Sequence, residues 1–419
     1  MTRSTLSNST GLVVPQHGQG SGFDEDDVTA VLSLMRSNEH LSSGLQVEAF
    51  EREFAAMVGV RHAVAVTSCT TALGLVTRVL DLKDGDEVIA PALTFQATIT
   101  ALLSTGVSVR FAEIDPSTLC LDPDSVRSLI TSRTRAIFTV HYAGLCAGVD
   151  SLRRIADDHG ISLVEDCAHA LGGSLSGRSA GAWGDLACWS FHSLKNISTL
   201  GQGGMVTTND EVAAHRIREM RAINPDAQFA LRSAPVLFDT HGDANAPRPE
   251  NHEKNAYTHD CLTVRHEGVN ATMSEVAAAV GRTQLRRLPA LADRRRHFAS
   301  LLDDGLRGVP GVRVLQTPEG AEHARHLYAF LLDGDEIDRD ELVRRLSKAG
   351  IEVVLRYFPL HLLPEWRMRG NALGQLPVTE HVWFRQLVNL PISPQLSDEQ
   401  AEYMVAVVAS VLEEMRKDC

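Results

Sequence analysis

Three short groups of polar residues follow apolar runs that are typical of buried strands. The first holds hydroxyl side chains at 67–71, the second holds acids and a histidine at 165–169, and the third holds a lysine at 195. In open α/β sheets, ligands bind beyond the carboxyl ends of the strands. These three groups are therefore the first candidates for a functional site.

The first group lies between a predicted strand that ends near Val66 and a helix that begins at about Thr71. Ser68 and Thr70 stand on either side of Cys69 in this turn. Free backbone N–H groups and the positive end of the helix dipole suit a phosphate there. Capping of the helix by these hydroxyl residues is the alternative, and the turn alone does not decide between the two.

The second group follows the apolar run 161–164 and contains Glu165, Asp166 and His169. An acid at the end of a buried strand needs a cationic or hydrogen-bonding partner to stay ionised. A protonated pyridine nitrogen would serve Asp166, and so would an arginine from elsewhere or a metal ion. The residues by themselves leave these partners open.

The third group places Lys195 after the apolar run 186–191 and before the glycine-rich turn 201–204. Lysine normally lies on solvated faces, so without the other two groups Lys195 would be interpreted as an ordinary surface residue. A desolvated lysine, in contrast, is a usable nucleophile. Taken together, a phosphate cradle, an acid and a nucleophilic lysine are the groups that a pyridoxal-phosphate enzyme requires.

The elements that position these groups alternate between helix and strand. The sequence predicts strands at 62–66, 87–90, 107–114, 136–141, 161–164, 186–191 and 205–208, with helical patterns between most of them. This alternation indicates an α/β fold whose mainly parallel sheet is flanked by helices.

Length and pattern predict two domains after a flexible N-terminal segment, 1–22. The large domain spans 23–288 and includes a polar, proline-containing segment at 224–267, which we interpret as a long loop or lid. A helix over Ser274–Leu288 is predicted to end before Pro289. The smaller C-terminal α+β domain, 289–419, is predicted to contain strands at 312–314, 326–332 and 351–355.

Composition narrows the partners and the compartment. A formal net charge of −13 argues against nucleic acid or anionic lipid as a partner. No run approaches the ~20 apolar residues of a membrane span. The cysteines show neither a CxxC pair nor zinc-ligand spacing, so we expect no metal and a cytoplasmic location. The seven cysteines are Cys69, Cys120, Cys146, Cys167, Cys188, Cys261 and Cys419.

From about Leu41 onwards, the chain resembles the DegT/StrS family of sugar aminotransferases. This family belongs to fold type I of the pyridoxal-phosphate enzymes and is related to the aspartate aminotransferase fold. The most specific motifs are VEDCAHALGG and SFHSLKNISTLGQGG. Further matches are APALTFQAT, the IDPSTLCLDP run and GVNATMSEVAAAVGRTQL.

The resemblance implies a catalytic role for three residues in this sequence. Lys195 would form the Schiff base with pyridoxal 5'-phosphate, Asp166 would pair with the pyridine nitrogen, and His169 would lie beside the phenolic oxygen of the ring. Phe95 would stack on the ring face. The amino donor would be glutamate or glutamine, and the acceptor would be a keto sugar or a cyclitol ketone.

The resemblance also implies a phosphate site and a homodimer. Ser68 and Thr70 match the phosphate turn of the family, with Cys69 between them and Ser190 as a further ligand. Asn270 matches an asparagine that reaches the phosphate of the partner subunit, so the active sites would be shared. Capping of the following helix is the alternative role of Asn270.

Four departures from the family pattern lie where cofactor or substrate contacts are expected. Cys69 replaces a glycine, which would be strained if the turn needed a positive φ. Thr272 stands where an arginine is frequent, Gln202 replaces a glutamate, and the segment 224–267 is longer than usual. These departures leave the acceptor, the carbon that is aminated and the donor undetermined.

Two other functions compete with transamination. A sugar dehydratase of the same family would carry a histidine at the lysine position, where this chain has Lys195. A non-catalytic cofactor-binding sensor would be expected to carry an additional DNA-binding or partner domain, which the sequence does not reveal.

Overall fold

A computed structural model describes residues 14–16, 20–42, 44–222 and 267–418. Helices and strands alternate through most of the N-terminal part. The strands are β1 (His62–Val66), β2 (Glu87–Pro91), β3 (Ser108–Ala112), β4 (Thr134–Val140), β5 (Ser162–Asp166), β6 (Ser174–Leu175), β7 (Arg178–Ser179), β8 (Leu186–Ser190), β9 (Gly204–Thr208), β10 (Val312–Val314), β11 (Ala321–Glu322), β12 (Tyr328–Leu332) and β13 (Leu387–Leu390).

The helices cover both faces of the sheet and most of the C-terminal part. They are α1 (Glu25–Arg36), α2 (Leu45–Val58), α3 (Cys69–Val79), α4 (Ala97–Thr100), α5 (Pro123–Leu129), α6 (Val149–His159), α7 (Glu211–Arg221), α8 (Glu275–Leu306), α9 (Arg339–Lys348), α10 (Pro364–Arg367), α11 (Pro377–His381) and α12 (Asp398–Asp418).

The main sheet has seven strands in the order β1-β9-β8-β5-β4-β2-β3. Strand β9 pairs antiparallel with β1 and β8, while the other neighbouring pairs are parallel. Strands β1, β5 and β8 therefore run in the same direction, and their carboxyl ends meet at one edge of the sheet. The predicted mainly parallel α/β sheet is confirmed, and the three polar groups lie at that edge.

Side-chain alternation along the strands divides the core of this sheet into two apolar layers. In β1, Ala63 and Ala65 pack into one cluster with Phe50 and Phe54 of α2. Val64 and Val66 pack into a second cluster, which includes Leu73 of α3. Successive side chains of a strand point to opposite faces, so helices cover both faces of this sheet, as its buried parallel strands require.

A second, antiparallel sheet has the strand order β10-β12-β13. Its apolar side chains form a separate cluster with α8, α9 and α12, which contribute Phe298, Leu342 and Val408, among others. This arrangement matches the predicted C-terminal α+β unit. The division of the chain at residue 288 stays a prediction, because α8 continues through it.

The predicted end of the helix before Pro289 is wrong, because α8 extends from Glu275 to Leu306 with Pro289 inside it. Proline removes one helical hydrogen bond and crowds the preceding turn. Leu288 and Leu291 on either side of it are buried in one apolar cluster, and Phe298 is buried in another. Burial along this helix outweighs the local preference of proline for a helix end.

The predicted strand at 351–355 is also wrong, since only Ile351 pairs, in an isolated bridge with Val14. This bridge also corrects part of the prediction that 1–22 is flexible. Val14 is fully buried, and the Gly20 N–H donates to the Ser193 carbonyl at 2.6 Å. Residues 1–13 and 17–19 of that segment, together with residues 224–266 of the predicted lid, lie outside the described residues.

Two helices are long enough to reach across a lipid bilayer, which takes ~20 residues. Helix α8 has 32 residues and α12 has 21, but both carry charged side chains along their length. Within the described ranges, no helix combines the length and the apolar character that crossing a membrane requires.

Candidate active site

A cavity of about 490 Å³ opens at the carboxyl edge of the main sheet. It brings together all the predicted site residues except Asn270. The lining side chains are Ser68, Cys69, Thr70, Leu73, Thr94, Phe95, Ala97, Val140, Asp166, Ala168, His169, Ser190, His192, Leu194, Lys195, Gln202, His326, Arg356 and Tyr357.

Lys195 lies in the turn that follows β8, and its amine faces this cavity. Its backbone N–H donates to the His192 carbonyl at 2.8 Å, which fixes the turn. Desolvation lowers the pKa of the Lys195 ammonium to about 8, although the nearby Asp166 carboxylate opposes this shift. Near physiological pH the neutral amine, which is the nucleophilic form, is therefore much more abundant than it is for a lysine of ordinary pKa.

Asp166 ends β5 and is almost fully buried. Thr98 donates its hydroxyl to Oδ2 at 2.7 Å, and the Ala168 N–H donates to Oδ1 at 3.0 Å. Burial raises the pKa of the Asp166 carboxyl, while these two hydrogen bonds and the charge of Lys195 act in the opposite direction. An additional cation against this carboxylate would favour its ionised form.

A buried ion pair beneath the cavity holds the strand ends that carry Asp166. Glu165 Oε2 lies 2.7 Å from Nε2 of His141, which follows β4. The Glu165 carboxylate also accepts the N–H groups of Gly181 and Trp183 at 2.9 and 2.8 Å. His141, Glu165 and Cys167 place three possible metal-ligand atoms within 4.8 Å of one another. The protein donors already occupy both oxygens of Glu165, which fits a structural role.

His169 lies among aromatic side chains on one wall of the cavity. Its ring stacks on His326 with centroids 4.4 Å apart, and Nε2 lies 3.1 Å from the Tyr357 hydroxyl. Burial lowers the pKa of His169 well below its usual value, and the charges of Lys195 and Arg356 add to this effect. This shift favours the neutral ring, and its Nδ1 has no hydrogen-bond partner among the residues that the structure describes.

The turn between β1 and α3 has the geometry of a helix start. Ser68 is the N-cap, and its Oγ accepts the Thr71 N–H at 3.1 Å, so the capping role is real. Cys69 is the first helical residue and is not among the residues with positive φ, which removes the strain expected from its replacement of glycine. Gly204 on β9 packs directly against the Ser68 backbone, where a Cβ atom would collide.

Two further predicted cofactor residues lie at the cavity. The Phe95 side chain is 52% exposed and has its ring centroid 5.8 Å from that of Tyr357. Ser190 ends β8, and its Oγ accepts the His192 N–H at 3.4 Å. Stacking of Phe95 on a ring and binding of a phosphate by Ser190 stay predictions.

Asn270 is exposed and does not line the cavity of its own chain. It forms an isolated bridge with Ala222, and the adjacent Ala271 carbonyl accepts the Thr67 N–H at 3.0 Å. Ser274, and not Asn270, caps helix α8. The capping role that competed with a phosphate role for Asn270 is therefore wrong, and its contact with a partner subunit stays a prediction.

Four residues of this site were missed by the sequence reasoning. Thr98 lies inside the APALTFQAT motif but received no role there. Arg356 and Tyr357 directly follow the apolar run 351–355, the same signal that identified the other polar groups, and His326 precedes β12. The segment 351–355 does not form a strand, but Arg356 and Tyr357 still follow a mainly apolar segment, so the same pattern could have identified them from the sequence.

The cavity has the donor set that pyridoxal 5'-phosphate needs. Ser68, Thr70 and the start of α3 offer hydroxyl and backbone donors to a phosphate. The buried Asp166 carboxylate suits a protonated ring nitrogen, and the unpartnered Nδ1 of His169 leaves a polar group for a ligand. Lys195 supplies the amine that would hold an aldehyde.

Comparison with known proteins gives a match to the model of the DegT/DnrJ/EryC1/StrS aminotransferase family over residues 22–409. Among curated relatives, the erythromycin biosynthesis sensory transduction protein EryC1 of Saccharopolyspora erythraea is 36% identical over 366 residues. That alignment covers 87% of this chain and 90% of EryC1.

Solved structures with a similar fold are also aminotransferases. The aminotransferase TlmJ of Streptoalloteichus hindustanus has a TM-score of 0.83 and 29% identity, covering 96% of this chain and 100% of TlmJ. DesV of S. venezuelae has a TM-score of 0.79 and 33% identity, covering 93% of this chain and 94% of DesV.

Proposed function

Because the chain belongs to the DegT/DnrJ/EryC1/StrS aminotransferase family, we propose that it transfers an amino group from glutamate or glutamine to a keto sugar or a cyclitol ketone. Membership of the family confirms three predictions made from the sequence: the family itself, a pyridoxal-phosphate-dependent aminotransferase, and the fold-type-I architecture.

The pairing of Lys195 with Asp166 carries this proposal. The two residues come from the ends of different strands, line one cavity and shift each other's pKa towards the charged form. A partly neutral lysine beside a buried carboxylate suits amine exchange at a cofactor aldehyde. An ordinary surface lysine would have neither the desolvation nor the buried partner.

Each residue of the pair has a separate task. Bound pyridoxal phosphate supplies an aldehyde for the amino group and a protonated ring that withdraws electrons from the reacting carbon. Lys195 would hold the cofactor between turnovers. Its freed amine would take a proton from the donor carbon in the first half-reaction and would deliver a proton to the acceptor carbon in the second. Asp166 would accept a hydrogen bond from the ring nitrogen, and its negative charge would keep that nitrogen protonated.

His169 and Thr98 prepare this arrangement. Burial and the charges of Lys195 and Arg356 lower the pKa of His169, so its neutral ring would orient the ring oxygen of the cofactor through a hydrogen bond without adding positive charge. Thr98 donates to Asp166 and thereby stabilises the carboxylate in its charged form.

Polar side chains around the cavity support a hydroxylated acceptor. Gln202 is exposed at the cavity, Thr94 and His192 line it, and Arg356 and Tyr357 add further donors. Such groups form the hydrogen bonds by which a protein recognises the hydroxyls of a sugar or cyclitol. Antibiotic and amino-sugar biosynthesis is the corresponding metabolic setting, in line with the name of EryC1.

The proposed working unit is a cytoplasmic homodimer in which Asn270 reaches the cofactor phosphate of the partner. The alternative functions have less support. A dehydratase would need a histidine at the position of Lys195, and the match over residues 22–409 lies within an aminotransferase family.

An absorbance experiment tests the proposal. The purified protein with pyridoxal phosphate should show a Schiff-base band, which glutamate or glutamine bleaches, and the correct keto sugar or cyclitol should restore the aldehyde absorbance. Lys195→Ala should abolish this band and turnover, whereas Lys348→Ala, which removes an exposed lysine of α9, should change neither. A band that no amino donor bleaches would indicate sensing, and multiple turnover by Lys195→Ala would refute the assignment of the lysine.

A further inference from the structure

Arg356 is a positively charged residue that lines the cavity. It is the only arginine among the cavity-lining side chains of the described residues. Within the same ranges, no carboxylate forms an ion pair with it. Most other arginines of the described ranges do pair with acids, for example Arg325 with Asp303 at 2.8 Å. An arginine that is left unpaired at a cavity can bind an anionic ligand at little cost.

Buried side chains fix the backbone of Arg356 on both sides. Its N–H donates to Oδ1 of Asn389 at 2.9 Å, and its carbonyl accepts the Tyr142 hydroxyl. Asn389 and Tyr142 are each about 1% exposed, so neither can move without disturbing the core. The side chain is thus presented from a rigid support, as precise recognition requires.

The guanidinium also lies close to the reacting groups. The adjacent Tyr357 hydroxyl is 3.1 Å from Nε2 of His169. The charge of Arg356 contributes to the lowered pKa values of His169 and Lys195. Arg356 therefore belongs to the wall of the cavity near the amine, and an anion bound to it would lie near the atom that exchanges nitrogen.

We propose that Arg356 binds the α-carboxylate of the amino donor and so determines that the donor is an α-amino acid. This inference rests on the proposed aminotransferase function. The α-carboxylate is attached to the same carbon as the transferred nitrogen, so it must lie within a few bonds of the position of Lys195. The guanidinium of arginine matches a carboxylate through two parallel hydrogen bonds.

Donor kinetics with matched analogues test this proposal. Arg356→Ala should lower kcat/KM of the donor half-reaction for L-glutamate by ~10- to 100-fold, the range expected for hydrogen bonds between charged groups. The α-carboxamide analogue of glutamate lacks the proposed contact, so it should lose less than about threefold. Arg356→Lys should retain part of the rate, because it keeps the charge but not the two-pronged geometry.

Direct binding gives a second readout that does not require turnover. Calorimetric titration of the cofactor-loaded protein with glutarate, a dicarboxylate that lacks the reacting amine, should show affinity weakened by ~10-fold or more in Arg356→Ala. Arg367→Ala is the control, because this arginine is exposed on α10 and lies outside the cavity lining. It should bind glutarate like the unmutated protein, and circular dichroism should show that both variants are folded.

Several results would overturn the assignment. Equal losses for glutamate and its α-carboxamide would mean that Arg356 does not contact the α-carboxylate. A loss confined to the cofactor dissociation constant would assign Arg356 to the cofactor phosphate, and a loss confined to the acceptor half-reaction would assign it to an anionic acceptor. If the unmutated protein reacts with no amino donor, the proposed function fails instead, and unchanged glutarate binding in Arg356→Ala would then refute the Arg356 proposal independently.

Discussion

The hydrogen bond from Thr98 favours the ionised form of Asp166. Thr98→Val removes this bond with almost no change in side-chain volume. The Thr98 hydroxyl donates to Oδ2 of Asp166 at 2.7 Å and lies 2.7 Å from the Thr94 hydroxyl. Both threonines are buried. Thr94 can donate to Thr98, which then directs its own hydrogen to the carboxylate. Valine at position 98 has no hydroxyl, so it interrupts this series of hydrogen bonds between Thr94 and Asp166.

The magnitude follows from the cost of losing a hydrogen bond to a charged group, ~1.5–3 kcal/mol. If the whole amount falls on the ionised form, the pKa of Asp166 rises by ~1–2 units. Burial already raises this pKa, and the bond from Thr98 acts against that effect. Its loss therefore makes Asp166 take up a proton at higher pH. Activity that needs the carboxylate should be lost earlier as the pH falls.

The assay is the pH dependence of kcat/KM for the donor half-reaction, whose acid limb reports ionisations of the free enzyme. For Thr98→Val the limb should move ~1–2 units towards higher pH, with the alkaline limb unchanged. Thr100→Val is the matched control, because Thr100 lies on the same helix and is exposed, and its hydroxyl donates to the backbone carbonyl of Gln96 and not to Asp166. Superimposable profiles for the two variants, with cofactor bound in both, would refute the role of Thr98.

Three further predictions follow from the geometry of the site. The rate at which the cofactor-free protein captures pyridoxal phosphate should rise with pH to a half-maximal value near pH 8, because the Lys195 pKa is lowered to about 8; a half-maximal value near 10 would contradict this shift, as expected for an ordinary lysine of pKa ~10.4. Gly204→Ala should weaken cofactor binding by ~10-fold or more in a fluorescence titration, because its Cβ would collide with the Ser68 backbone, whereas Gly308→Ala, with open space around it, should bind normally. Co-expressed Lys195→Ala and Asn270→Ala chains should recover up to about half of the normal activity in mixed dimers if sites are shared across a symmetric interface; heterodimers without recovery would show that they are not.

The sequence by itself predicted which residues meet at this site and the chemistry that we propose for them. Lys195, Asp166 and the hydroxyl turn at Ser68 each follow an apolar strand run, and such runs are recognisable from the residues within a few positions. The alternation of helices and strands along the sequence predicts a mainly parallel sheet, and the structure has such a sheet. Parallel strands then place their carboxyl ends at one edge, so local signals were enough to group these residues.

Local signals failed where packing overrides the preference of a single residue. Pro289 predicts a helix end, but helix α8 continues because apolar side chains on both sides of it are buried in two different clusters. The run 351–355 is apolar enough for a strand, yet only Ile351 finds a partner, in Val14. Whether a segment forms a strand depends on which other strand lies beside it in the fold, and the residues next to it in the sequence do not reveal that.

The tertiary structure alone decided how the site is tuned. Thr98 reaches Asp166 across 68 positions of the chain, and Tyr357 reaches His169 across 188. The cavity that holds Lys195 is also lined by His326, Arg356 and Tyr357 from the C-terminal part of the chain. Desolvation and hydrogen bonding depend on distances between atoms that are remote in sequence. Residue types could therefore indicate candidate catalytic groups, but they could not indicate how the pKa values of these groups shift or reveal the arginine that we assign to the donor.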